Sequence, residues 1–235
     1  MTSNSTKKTL AKPKHVCEFC DREFVREKSF LAHICEYKFR WQDRDSRVNQ
    51  LGFQCWLDFY KRNSTPKTRT YMDFINSPYY TAFVKFGKYC VDVKVINVLQ
   101  YCQWLLNSKI SIDQWAQDTK YDQFLLEYLR DENHLDAISR SIQTTIDLSE
   151  TYGILPKDVL RWGNSNKICH EITKGKISAW MLYQCGSGIE FMEKLNDSQN
   201  KLIFSYINPE NWAIKFHRYP EHAKEVKSLL DQGGY

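Results

Sequence analysis

The chain has 235 residues and 28.0 kDa, with 42% hydrophobic and 26% charged residues and only 9 Gly and 6 Pro, so it can bury a large core and is neither fibrous nor disordered. A mean hydropathy of -0.57, and Asn97, Gln100 and Gln103 interrupting the most apolar stretch (95–106), exclude a membrane-spanning helix. The net charge of +5 is uneven: Lys7, Lys8, Lys12 and Lys14 supply four of the five charges, while basic and acidic residues nearly cancel over the rest.

Residues 1–14 read as a disordered basic tail. No apolar run follows them, which predicts no secretory leader and a cytoplasmic protein. In a reducing compartment, clustered cysteines read as metal ligands and scattered ones as small buried hydrophobes. Cys17, Cys20 and Cys35 are clustered; Cys55, Cys90, Cys102, Cys169 and Cys185 are scattered.

The sharpest local pattern lies at residues 15–35. Cys17-x2-Cys20 is followed after twelve residues by His33, with Phe24 and Phe30 between them. A Cys-x2-Cys knuckle aims two thiolates at one tetrahedral ion, and the twelve residues leave room for a hairpin return and a short helix. The two phenylalanines supply a small core under the metal. This stretch resembles the zinc fingers of the C2H2 family over about twenty residues. It departs from them at the fourth ligand, because Tyr37, Lys38 and Phe39 stand where a His or Cys is wanted.

Cys35 is the alternative donor. Two residues on a regular helix subtend about 200°, so His33 and Cys35 can share an ion only if the helix unwinds there. His-x-Cys closing pairs of this kind are similar to those of the AN1 type. The expected site is therefore Cys17, Cys20, His33 and Cys35 around one structural Zn2+, since an S3N tetrahedral set suits a non-redox ion and leaves no open position for catalysis.

The resemblance to DNA-reading fingers places Arg26, Lys28, Ser29 and Ala32 at positions that face base edges in that family. One finger covers only about three base pairs, so flanking phosphate contacts are needed, and Arg40, Arg44 and Arg47 are the candidates. The competing reading is a finger that binds protein or staples the N-terminus to the rest of the chain. The two readings differ in one expectation. Nucleic-acid binding wants a continuous basic face from Arg26, Arg40, Arg44, Arg47, Lys61, Lys67 and Arg69, and acidic interruptions favour a protein partner.

Beyond the finger the periodicity is helical. Residues 44–62 carry a 3–4 rhythm, 63–70 form a polar linker, 71–75 a short turn, and Ser77 caps a helix opened by Pro78. Further helices are expected over about 95–107, 113–131 and 134–152, the last ended by Gly153. The expected fold is mainly α: a small N-terminal ββα-like zinc finger followed by an α-helical bundle. Its expected parts are the tail 1–14, the finger 15–40, a connecting helix and linker 41–70, and a helical domain 71–235.

Residues 142–167 have a second reading, similar to a helix-turn-helix in which Lys157, Asp158 and Arg161 face a groove with Trp162, Asn164 and Lys167 near phosphates. The plainer reading is a helical hairpin, with Tyr101, Trp104, Trp115, Trp162, Trp180 and Trp212 as core or groove-lining residues. There is no Walker loop, GxGxxG, GxSxG or HExxH, so no catalytic residue and no small-molecule substrate are assigned. A variant finger joined to an aromatic-rich helical body also resembles small zinc-finger proteins of large tailed phages. The expected function is that of a nucleic-acid-binding accessory protein, DNA ahead of RNA, or else a zinc-stapled interaction or assembly module.

Overall fold

The structure, a computed structural model, describes residues 15–63 and 68–235. The basic tail and the centre of the predicted 63–70 linker lie outside them. The chain divides into two compact units, one ending at Ala116 and the other running from Gln117 to Tyr235. Among the described residues the strands are confined to one short hairpin, and the remainder is helical.

In the first unit, β1 (His15–Val16) pairs antiparallel with β2 (Glu23–Phe24), with His15 opposite Phe24, and leads into α1 (Glu27–Leu31). This is the expected ββα-like finger. Then come α2 (Glu36–Gln42), α3 (Arg47–Asn63), α4 (Tyr71–Ile75), α5 (Tyr80–Val93) and α6 (Val98–Asn107). The start of the helix predicted over 44–62 belongs to a turn. Asn49 is buried there, and its side-chain amide donates to the Asp43 carbonyl (2.9 Å) and to Ser46 Oγ (3.0 Å), which separates α2 from α3.

The stretch 71–75, predicted as a turn, is a short helix because Thr70 and Asp73 form a reciprocal cap. Ser77 accepts from the Tyr79 N–H and from the Trp56 indole, both at 3.1 Å, one turn ahead of the helix that begins at Tyr80. The core of this unit is aromatic. Phe83 and Phe86 set their rings edge-on to Trp115 at 5.5 and 5.3 Å. Helices α3 and α5 approach closely where Gly52 and Gly87 meet: a methyl group on Gly87 would sit 2.2 Å from the Val48 carbonyl oxygen.

The second unit holds α7 (Asp118–Asp131), α8 (His134–Tyr152), α9 (Val159–Trp162), α10 (Ser165–Thr173), α11 (Ala179–Gln184), α12 (Gly186–Glu193), α13 (Asp197–Ile207), α14 (Pro209–Arg218) and α15 (Pro220–Gln232). Helix α8 has the predicted bounds, and Gly153 ends it in the left-handed conformation (φ 65°). Helix α11 is the centre of the unit. Its Ala179, Trp180, Met181 and Leu182 are all buried, and α8, α12 and α15 pack around it. Trp56, Trp115, Trp180 and Trp212 are core residues, whereas Trp162 is 72% exposed and lies outside the core. No helix is long and apolar enough to cross a membrane among the described residues.

Candidate metal centre

The knuckle is built by its backbone. The Cys17 N–H donates to the Arg22 carbonyl (3.0 Å) and the Asp21 N–H to the Cys17 carbonyl (2.8 Å), which closes a tight turn with Asp21 at φ 54°. Two thiols therefore point to one side. The return strand carries Phe24, whose ring lies 5.8 Å from that of Phe30 on α1 and 4.9 Å from the His33 imidazole. His15 stacks on the other face of this small core, 5.5 Å from Phe30.

Helix α1 stops at Leu31, and residues 33–35 are not helical. Cys35 is extended (φ -104°, ψ 112°) and starts α2 as its N-cap residue. The unwinding expected from the two-residue spacing is present, and it lets His33 and Cys35 face the same point. The ligand atoms of Cys17, Cys20, His33 and Cys35 all lie within 4.8 Å of one another. Cys20 Sγ is 3.3 Å from His33 Nε2. A tetrahedral zinc with bonds of about 2.0–2.3 Å holds its donors about 3.4–3.8 Å apart, so a slight contraction of this cluster seats the ion.

The electrostatics also suit a metal. Burial pushes the Cys17 thiol up, but backbone N–H groups of Phe19 and Cys20 and the neighbouring thiols outweigh it and bring the group below its ordinary value. The Cys20 thiol is raised, first by burial and then by its crowding against Cys17 and Cys35, even though the Arg22 N–H points at it. Thiols packed this closely resist sharing a second negative charge unless a cation neutralises them. The cluster is a possible zinc site of the Cys3His type, made of the four residues named from the sequence.

The expected nucleic-acid contacts scatter. Arg26, Lys28 and Ser29 are exposed at α1 and Arg47 is exposed at the start of α3, and none of the three cations forms an ion pair among the described residues. Arg40 is turned inward with its side chain only 17% exposed: it donates to the Ile75 carbonyl (2.7 Å), lies over the Tyr80 ring (4.4 Å) and pairs with Glu36. Arg44 lies over Trp41 and reaches Asp45 at 3.5 Å.

The rest of the anticipated basic face is similarly engaged. Lys61 pairs with Asp58 at 3.2 Å, Arg69 covers the Tyr60 ring at 4.0 Å, and Lys67 lies outside the described residues. In the second unit Arg161 is held in a fork by Glu190 at 2.8 and 2.9 Å, and Lys167 pairs with Glu171 at 2.6 Å. Lys157 is exposed. Carboxylates and ring faces thus interrupt the basic surface the sequence suggested.

Two features went unnoticed in the sequence. The finger exposes Val16, Val25, Leu31 and Ile34, and a cavity of about 370 Å3 opens at the metal cluster, lined by Cys17, His33 and Cys35 with Val16, Phe19, Phe30 and Leu31 and the charged Glu18 and Lys38 around them. Their signal was present as apolar residues off the Phe24/Phe30 core positions. No protein-family model matches the chain, and no curated protein or solved structure shows significant similarity to it. The likeness to C2H2 fingers therefore rests on residues 15–35, and no relative carries the likeness to phage proteins.

Proposed function

We propose that residues 15–40 form a zinc-held finger that docks an apolar segment of a partner protein. The finger's own surface supports this most strongly: Leu31 is 75% and Ile34 81% exposed, and Leu31 joins Val16 and Phe19 on the rim of the cavity at the metal cluster. Several exposed large apolar side chains on so small a module support an interaction surface. Zinc at Cys17, Cys20, His33 and Cys35 supplies folding free energy, on the order of 10 kcal/mol, to a hairpin and five-residue helix that cannot otherwise hold together.

Charge supports the same reading. Five basic and five acidic residues between 15 and 40 cancel. Three thiolates and an imidazole around Zn2+ then leave about one net negative charge, the wrong sign for gripping phosphates. A second reading, DNA contact, is favoured by one observation: Arg26, Lys28 and Ser29 are exposed together at α1 without ion pairs among the described residues.

The test begins with elemental analysis of the purified chain, expected to give one zinc per molecule. Cross-linking in cells from Lys28 and Lys38 is expected to capture one partner, and Leu31→Asp with Ile34→Asp to lose it while keeping the zinc. Retardation of DNA that weakens steeply with salt and disappears in Arg26→Gln/Lys28→Gln would replace this reading by the second. Absence of stoichiometric zinc overturns both.

A further inference from the structure

The fourteen lysines and arginines of the second unit divide into those with a carboxylate partner and those without. Arg140, Arg161, Lys167, Lys174, Lys176 and Lys224 each reach a carboxylate. Eight others form no ion pair among the described residues, and three of these border one cavity: Arg130 at the end of α7, and Lys215 and Arg218 on α14. The cavity holds about 200 Å3, and Trp212 and Ile214 give it an apolar wall. Asp131 is the one acid on its lining, so the local balance is strongly positive.

Lys215 is fixed in place. Its ammonium donates to the Arg130 carbonyl and lies 4.7 Å from the centre of the Trp212 ring and 5.3 Å from that of Trp180. Cation–π contact and one carbonyl do not discharge an ammonium group, and its remaining N–H groups are available to an acceptor. Burial lowers the Lys215 pKa, with Glu132 and Asp131 opposing, which is the strain expected of a cation that no direct counter-ion relieves. One ring further in, the buried Trp180 indole N–H has no acceptor.

We propose that this cavity binds a small phosphomonoester, with Arg130, Lys215 and Arg218 on the phosphoryl oxygens and Trp212 and Ile214 against the organic group. Two guanidinium forks and an ammonium match the acceptors of a phosphoryl dianion. A cavity of this volume has room for a single-ring or short-chain organic group. The site lies in the second unit and does not depend on the finger.

The test titrates the full chain with phenyl phosphate, inorganic phosphate and, at matched ionic strength, sodium chloride, following tryptophan fluorescence and heat of binding. Phenyl phosphate is expected to bind with one-to-one stoichiometry, more tightly than inorganic phosphate, while chloride gives no saturation. Arg130→Gln and Arg218→Gln are each expected to weaken phenyl phosphate about tenfold with unchanged thermal melting. These surface variants carry the test because Lys215→Gln removes a packed side chain. Equal responses to phenyl phosphate and chloride, or unchanged affinity in both arginine variants, overturn the proposal. So does a short single-stranded oligonucleotide that binds more tightly through the same arginines.

Discussion

Asp21 carries a cost that its neighbours cover. An L-residue in the left-handed region gives up about 1 kcal/mol, and Asp21 is held there by the turn that aims Cys17 and Cys20. Asp21→Gly is expected to tighten zinc by up to about 1 kcal/mol, or about fivefold in Kd, read by competition with a chromogenic chelator. Weaker binding in this variant would mean that the Asp21 side chain itself supports the knuckle.

Glu171 shows a second single-residue effect. Burial pushes its carboxyl up, but Lys167 (2.6 Å) and Lys176 (3.2 Å) outweigh that and hold it below the usual carboxylate range. A carboxylate favoured in the folded state contributes stability above the ordinary range and loses it as pH falls through its own lowered value. Glu171→Gln is therefore expected to cost about 1–2 kcal/mol at pH 7, discounted because both lysines are partly exposed, and the difference from wild type should close as pH falls through the lowered value of this carboxyl. Urea titrations at several pH values measure it. A constant difference across the range would assign the loss to packing.

Among the elements, the α3–α5 pair sets the tightest constraint. A Cβ on Gly87 meets the Val48 carbonyl at 2.2 Å and one on Gly52 meets the Phe83 carbonyl at 2.8 Å, so neither helix can yield to a flexible side chain. Gly87→Ala is expected to cost about 3 kcal/mol, seen as a lower urea midpoint, by forcing the helices apart. A wild-type midpoint would show that the helices are not this close in solution.

This contact was not legible in the sequence. Phe83, Phe86 and Cys90 recur at helical spacing and all three are buried, but a glycine in a helix reads only as a weak point until its neighbour is known. Element ends were legible where a single residue type decides them. Gly153 closes α8 because its left-handed backbone suits glycine, whereas the Asp43–Ser46 turn depends on the tertiary burial of Asn49. The metal donors were readable because ligand chemistry fixes residue type and spacing together. Arg40 and Arg161 were not, since a charge count cannot show that Tyr80 or Glu190 lies opposite.

Across the whole molecule, the finger holds little of the helix, and its hairpin and α1 rest on a core of Phe24 and Phe30. The helical parts have cores of their own, aromatic in the first unit and centred on α11 in the second. Removing zinc with a chelator is therefore expected to leave far-ultraviolet ellipticity at 222 nm nearly unchanged while making residues 15–35 sensitive to protease. A large loss of ellipticity would mean that the helical units depend on the ion.

Cys35 is both a member of the possible zinc cluster and the residue from which α2 departs, and one turn along α2 Arg40 is clasped by the Ile75 carbonyl and the Tyr80 ring. Ion binding at the cluster is therefore expected to reach the helical body through α2, whose Arg40 and Trp41 pack on Ile75, Tyr80 and Tyr71. Slower amide deuteration at Ile75 and Tyr80 in the loaded protein would let a spectrometer read the state of the finger from a place that never touches the ion.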